Sequence, residues 1–97
     1  MPRLILSRRA VADLQRCRKF LADRDAAAAV RAADAISAGL RLLTRTPQAG
    51  RPVIAEPTFR ELVIPFGATG YVALYCFDRD DDAVTILALR HQREAGY

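Results

Sequence analysis

The segment from Phe59 to Tyr97 constrains this chain more than any other. It holds three apolar runs, FRELVIP (Phe59–Pro65), YVALYCF (Tyr71–Phe77) and AVTILAL (Ala83–Leu89). PFGATG separates the first two runs, and the acidic run Asp78, Arg79, Asp80, Asp81, Asp82 separates the last two. Short runs rich in β-branched and aromatic residues, bounded by glycine or aspartate, read as strands. Connections this short join antiparallel neighbours, so the segment is expected to be a meander. Gly67 and Gly70 are expected to give the first turn its backbone freedom, since glycine reaches positive φ without steric cost.

Side chains alternate along a strand, which assigns faces. Arg60, Leu62 and Ile64 share one face of the first run, and Phe59, Glu61 and Val63 the other. In the second, Tyr71, Ala73, Tyr75 and Phe77 oppose Val72, Leu74 and Cys76. In the third, Val84, Ile86 and Ala88 oppose Thr85, Leu87 and Leu89. An antiparallel sheet with one wet face alternates apolar and polar residues. Neither face here is polar, so both are expected to be covered.

The preceding half supplies one cover. Arg3–Leu6 (RLIL) reads as a short strand. Ser7 then caps a helix running to about Arg24, its hydroxyl accepting from the free amides of the first turn. Val11, Leu14, Cys17 and Leu21 form the expected buried stripe, with Arg9, Arg16, Lys19 and Asp23 opposite. Asp25 caps a second, alanine-rich helix in the same way. Ala29, Ala33, Ile36, Leu40 and Leu43 are its apolar stripe, and Arg31, Asp34, Arg41 and Arg45 its polar one. Gly39 costs this helix about 1 kcal/mol relative to alanine, which a close helix crossing would explain. Pro47 and Gly50 end it.

Two helices joined by almost nothing make an antiparallel hairpin, which covers one sheet face. The reading is a single α+β domain over residues 1–97, in the order β-α-α-β-β-β. The second apolar face is left for a partner chain.

Charge is uneven along the chain. Residues 1–50 hold ten Lys/Arg against four Asp/Glu, whereas residues 51–97 hold five against seven. The basic half fits nucleic acid, ribosome or an acidic protein, or serves solubility alone. Cys17 and Cys76 lack metal-site spacing and read as reduced core fillers of a cytoplasmic protein. No apolar run approaches the ~18 residues of a membrane span. GATG lacks the lysine and spacing of a phosphate loop, and DRDDD lacks the glycine and distal glutamate of a calcium loop. No metal or cofactor is expected.

The residues left with chemistry to offer are Arg60, His91, Arg93, Glu94 and Tyr97. Arginine can steady phosphate charge while histidine or tyrosine moves protons, which is the outline of RNA cleavage. The same residues also suit a polar binding tail.

The order of elements, SRRAVADL at the first helix, LRLLTRTPQAGRPV after the second, FRELVI, GYVALYCF and VTILALRHQREAGY together resemble the RelE/ParE superfamily, the toxins of type II toxin–antitoxin modules. The resemblance spans nearly the whole chain. It implies a toxin neutralised by a cognate antitoxin whose C-terminal segment wraps it, with operator DNA contacted only through that antitoxin. An acidic antitoxin is expected to meet Arg9, Arg16, Lys19, Arg31 and Arg41, and to bring apolar residues to a groove between the helical hairpin and the sheet. ParE-like members inhibit DNA gyrase by binding; RelE-like members cut mRNA on the ribosome. In RelE-like members an arginine follows the tyrosine of the GY pair, where this chain has Val72. Their lysine pair on the preceding strand corresponds to Arg60 and Leu62, and a later arginine falls near His91. The terminal tyrosine matches Tyr97. The ParE-like reading is therefore favoured. A ribonuclease would have to use Arg60, His91, Arg93 and Tyr97.

Overall fold

The computed structural model describes every residue except Ala95. Its elements are β1 (Arg3–Leu6), α1 (Arg8–Ala22), α2 (Ala26–Arg45), β2 (Arg51–Pro52), β3 (Phe59–Phe66), β4 (Thr69–Asp78) and β5 (Ala83–His91). The α+β order read from the sequence is present, with a two-residue strand added before the meander. Both expected caps form: Ser7 Oγ accepts from Ala10 N–H and Asp25 Oδ1 from Ala28 N–H, each at 3.0 Å.

The sheet order is β1-β5-β4-β3-β2. β1 lies parallel to β5, with Arg3 opposite Ala83 and Leu6 opposite Ile86; the other pairs are antiparallel. The hairpin packs on one face. There Ala10, Cys17, Ala32, Ile36, Leu40 and Leu43 meet Leu62, Ile64, Tyr71, Ala73, Tyr75, Val84, Ile86 and Leu89. The opposite face carries Val63, Val72, Leu74 and Cys76, and among the described residues no helix lies over it.

Three local expectations are corrected. First, β5 does not alternate throughout. Leu74 pairs with Ala88 but Tyr75 pairs with Ile86, so Leu87 is a bulge residue. The extra residue shifts the phase, placing Leu89 rather than Ala88 beside Val84 and Ile86 in the core.

Second, α1 is rotated from its expected stripe. Val11 is 40% exposed, while Ala10, Asp13 and Cys17 are buried. The cause is Asp13. β1 ends where Ser7 N–H bonds Ile86 C=O, leaving the far half of β5 with an unpaired edge. α1 supplies the missing partners: Ser7 Oγ donates to Leu87 C=O at 3.0 Å, and Asp13 Oδ2 accepts from Leu89 N–H at 2.9 Å. A buried N–H without a partner is costly, so this polar pair sets the helix face. Ala33 is likewise exposed, and Ala28 and Ala32 are buried in its stead.

Third, Gly70 is not a turn residue. Gly67 has φ 62 and makes the turn, whereas Gly70 pairs with Pro65 inside β4. A Cβ there would strike the Ile64 carbonyl. Gly39 is small for a related reason: a Cβ would sit 2.8 Å from Ile64 Cγ1, so the close approach is to the sheet and not to a second helix. Cys17 is a core thiol, but Cys76 is only half-buried on the face away from the helices.

Candidate functional site

Arg60 and His91 both face the helices, from opposite ends of the sheet. Arg60 pairs with Tyr75 and His91 with Tyr71, four residues apart on β4, roughly 13 Å along the strand. Arg60 is engaged with backbone. Its Nη1 donates to Gly50 C=O at 2.7 Å and Gln48 C=O at 3.4 Å. The Tyr75 hydroxyl donates to Pro47 C=O and accepts from Gly50 N–H, both at 2.8 Å. Arg60 and Tyr75 thus fasten the loop that follows α2.

At the other end, His91 ends β5. Arg93 N–H donates to its Nδ1 at 3.2 Å, which leaves Nε2 to carry the proton and donate to Thr69 Oγ1 at 3.0 Å. The ring stands edge-on to Tyr71, centroids 5.4 Å apart. The chain turns here through Glu94 N–H to His91 C=O. The Glu94 carboxylate accepts from His91 N–H at 3.1 Å and takes the Arg16 guanidinium at 2.8 Å. These residues open onto a cleft of about 620 Å³ lined by Arg16, Cys17, Phe20, Ala68, Thr69, Tyr71, His91, Arg93 and Glu94. Burial works against ionisation of Glu94, but the Arg16 hydrogen bond, His91 N–H and nearby positive charge outweigh it, so its carboxyl lies below the usual glutamate value. Arg16 is correspondingly raised by the same bond. Burial raises the Cys17 thiol, which keeps it protonated at neutral pH.

Tyr97 lies on the other side of the sheet. Its hydroxyl donates to Glu61 Oε2 at 2.7 Å, and the Arg90 guanidinium sits 5.2 Å from its ring centroid. Burial, then the Glu61 hydrogen bond, pushes its pKa well up. The four candidate catalytic residues are therefore not brought together: His91 and Arg93 share the cleft, Arg60 is at the far end, and Tyr97 is on the opposite face. Sequence reasoning overlooked Thr69, Phe20, Arg90 and Asp13. Strand alternation separates adjacent Arg90 and His91 onto opposite faces and was available as a signal; the bulge hid which face was which.

Of the basic residues expected to meet an antitoxin, Arg9 and Arg16 flank Asp13 at 3.3 and 3.6 Å, and Lys19 is 3.6 Å from Asp23. Arg31 and Arg41 are exposed on α2. A second, more apolar groove of about 370 Å³ lies between the helices and β1. Leu4, Leu6, Leu14, Leu21, Ala33 and Ile36 are among its walls and Arg18 and Arg41 are on its rim. It lies where the helical hairpin meets the edge of the sheet at β1. Among the described residues no cluster of His, Cys, Asp and Glu is arranged to hold a metal ion, and no helix is long and apolar enough to cross a membrane.

The sequence model of the ParE toxin of type II toxin–antitoxin systems, parDE, matches residues 4–96. The chain belongs to the ParE toxin family. Two similar proteins come from Caulobacter vibrioides. Toxin RelE1 is 42% identical over 72 residues, 74% of this toxin and 75% of the relative. Toxin RelE3 is 38% identical over 89 residues, 92% of each chain. Membership of a type II toxin–antitoxin family implies a cognate antitoxin for this toxin.

Proposed function

We propose that this toxin is a ParE-like inhibitor of DNA gyrase, acting in the cytoplasm by binding rather than by chemistry. A cognate antitoxin would hold it inactive and carry its only contact with operator DNA. The observation that carries this reading is the dispersal of the candidate catalytic residues. Phosphoryl transfer needs preorganised cations and proton carriers around one reacting atom. Here Arg60 is spent on the carbonyls of Gln48 and Gly50, and Tyr97 bonds Glu61 across the sheet from His91. Val72, at the position where RelE-like members place an arginine, is 2% exposed. A binding inhibitor needs only surface, and the described residues form largely apolar clefts beside α1. The test is a supercoiling and DNA-cleavage assay with purified gyrase. Inhibition with accumulated cleaved DNA, relieved by antitoxin, is expected; an unaffected gyrase would sink the reading.

A second reading, ribosome-dependent mRNA cleavage, draws on one observation: His91 and Arg93 do share a cleft with Thr69 and Arg16. The two relatives also carry RelE in their names. Loss of toxicity in His91→Ala with Tyr97→Phe, with folding and antitoxin binding retained, would favour it over gyrase inhibition.

A further inference from the structure

The tail that follows β5 is fastened from the helix-free side of the sheet. Arg90 is the residue before His91, with its side chain on the other face, and it reaches back to its own chain. Its Nη1 donates to the carbonyls of His91 at 3.4 Å, Gln92 at 3.3 Å and Glu94 at 3.1 Å. These carbonyls belong to the turn that carries His91 and Arg93 into the cleft. The Arg90 Nε is buried and has no hydrogen-bond partner among the described residues, so the three carbonyls and the Tyr97 ring hold the guanidinium in place. We propose that Arg90 is a positioning residue for the turn bearing His91 and Arg93, and that Tyr97 acts through Arg90 as its lock and touches no target itself. The proposal rests on membership of the toxin family and on this turn forming part of the toxic surface, and not on the choice between gyrase and ribosome.

The lock spans three strands. The Tyr97 hydroxyl is pinned to Glu61 on β3 at 2.7 Å, and its ring centroid lies 5.2 Å from the Arg90 guanidinium on β5. β4 runs between them, where Val72 pairs with Val63 on one side and Arg90 on the other. Burial and the Glu61 carboxylate raise the phenol pKa, so the hydroxyl remains a donor. Gly96 brings the chain to this point with φ 146, and nothing lies within 4 Å of where a Cβ would stand. Glycine serves backbone direction there, not space.

On the cleft side the same turn fixes the histidine. Arg93 N–H donates to His91 Nδ1, and Glu94 N–H bonds His91 C=O. The hydrogen bond at one ring nitrogen decides which nitrogen carries the proton. Without Arg90 the turn loses the donor that gathers its carbonyls, Arg93 N–H is no longer held on Nδ1, and the proton is no longer confined to Nε2. An arginine on one face of the sheet thus selects the tautomer of the histidine on the other.

The test joins nitrogen NMR of the untagged full-length toxin to growth arrest in cells at matched protein levels. His91 is the one histidine of the chain, so the imidazole nitrogen resonances report this ring alone. The wild type should show the Nε2–H tautomer. Arg90→Met should show both tautomers in exchange. About tenfold more of that variant should be needed to arrest growth, as apparent affinity falls with the fraction of molecules holding the competent turn. Tyr97→Phe and Glu61→Leu should give similar, smaller changes in both readouts, and their double variant should be no weaker than either alone, because the two act as one contact. Glu61→Gln keeps an acceptor for the hydroxyl and should match the wild type. A wild-type histidine spectrum from Arg90→Met, or undiminished growth arrest by it, overturns the proposal. So does toxicity lost with Tyr97→Phe but kept with Glu61→Leu, since that pattern makes Tyr97 a direct participant. If Arg90→Met fails to fold by its circular dichroism melt, Arg90→Lys replaces it: partial tautomer mixing supports the proposal and a wild-type spectrum overturns it. A wild type that arrests no growth would defeat the toxin's activity itself, a separate outcome in which the histidine spectra still decide the positioning.

Discussion

The two ends of the sheet start from the same ingredients. Each sets a basic side chain beside a tyrosine of β4 on the helix-facing side: Arg60 with Tyr75, His91 with Tyr71. At the first end the loop after α2 folds down, and Tyr75, 0% exposed, and Arg60 bond its backbone. At the second no loop closes, α1 forms one wall, and a cleft remains. The lesson is that closure, more than residue type, separates a structural arginine from an available histidine.

That contrast is sharpest in stability. Tyr75→Phe removes the partner of Gly50 N–H and of Pro47 C=O. A buried donor left unpaired costs about 1–3 kcal/mol, so urea denaturation should show a loss near the upper part of that range. Tyr71→Phe should cost less than about 0.5 kcal/mol, in the range of substitutions that break no special contact. Equal losses would break the comparison. Asp13→Ala should follow with about 2 kcal/mol, because Leu89 N–H loses its acceptor inside the structure. Val11→Ser, on the exposed line of the same helix, should stay within about 0.5 kcal/mol.

Arg60 tests the functional side of the contrast. Arg60→Met should lower stability by about 1.5 kcal/mol through the lost charge-assisted bonds to the loop. At a temperature where the variant remains folded it should still inhibit gyrase. A folded, antitoxin-binding variant that has lost toxicity would restore Arg60 to the functional set and weaken the reading that its role is only to close the loop.

The parts legible in the sequence were those governed by local rules. The caps at Ser7 and Asp25 and the meander itself follow from nearby spacing. So do the buried Ile36, Leu40 and Leu43. The parts that escaped depend on contacts distant in sequence. Asp13 faces inward because Leu89, 76 residues away, needs an acceptor. No periodicity places an aspartate in the core line of a helix. Leu87 bulges where β1 has ended and α1 takes over the edge, and a single extra residue reverses the faces of everything after it. Arg60 looked like a phosphate ligand because its partners are backbone carbonyls, which carry no signal in side-chain identity. Tyr97 looked like part of one cluster with His91 because six residues of tail do not reveal which face the chain crosses to. The cleft, assembled from α1, β4, β5 and the tail, is legible only once all four are placed.

The smallest expected effect is on pH dependence, and it separates the two ends by charge. Arg60 meets only carbonyls, so the bonds it makes carry no titrating partner. Arg16 meets Glu94, whose carboxyl lies below the usual glutamate value: burial opposes ionisation, but Arg16 and His91 N–H prevail. A depressed folded-state value means that the stabilisation is fully present above the unfolded value of about 4.3 and fades as pH falls through the folded one. Below neutral pH the wild type should therefore hold its melting temperature until about pH 4.3, then lose the contribution of this pair. Glu94→Gln removes that step and should melt with a slightly flatter profile in the same window, while Arg60→Met should shift the whole profile down without changing its slope there. A parallel profile for Glu94→Gln would show that Arg16 gains nothing from this carboxylate in solution, and the open end of the sheet would then owe its geometry to Asp13 and His91 alone.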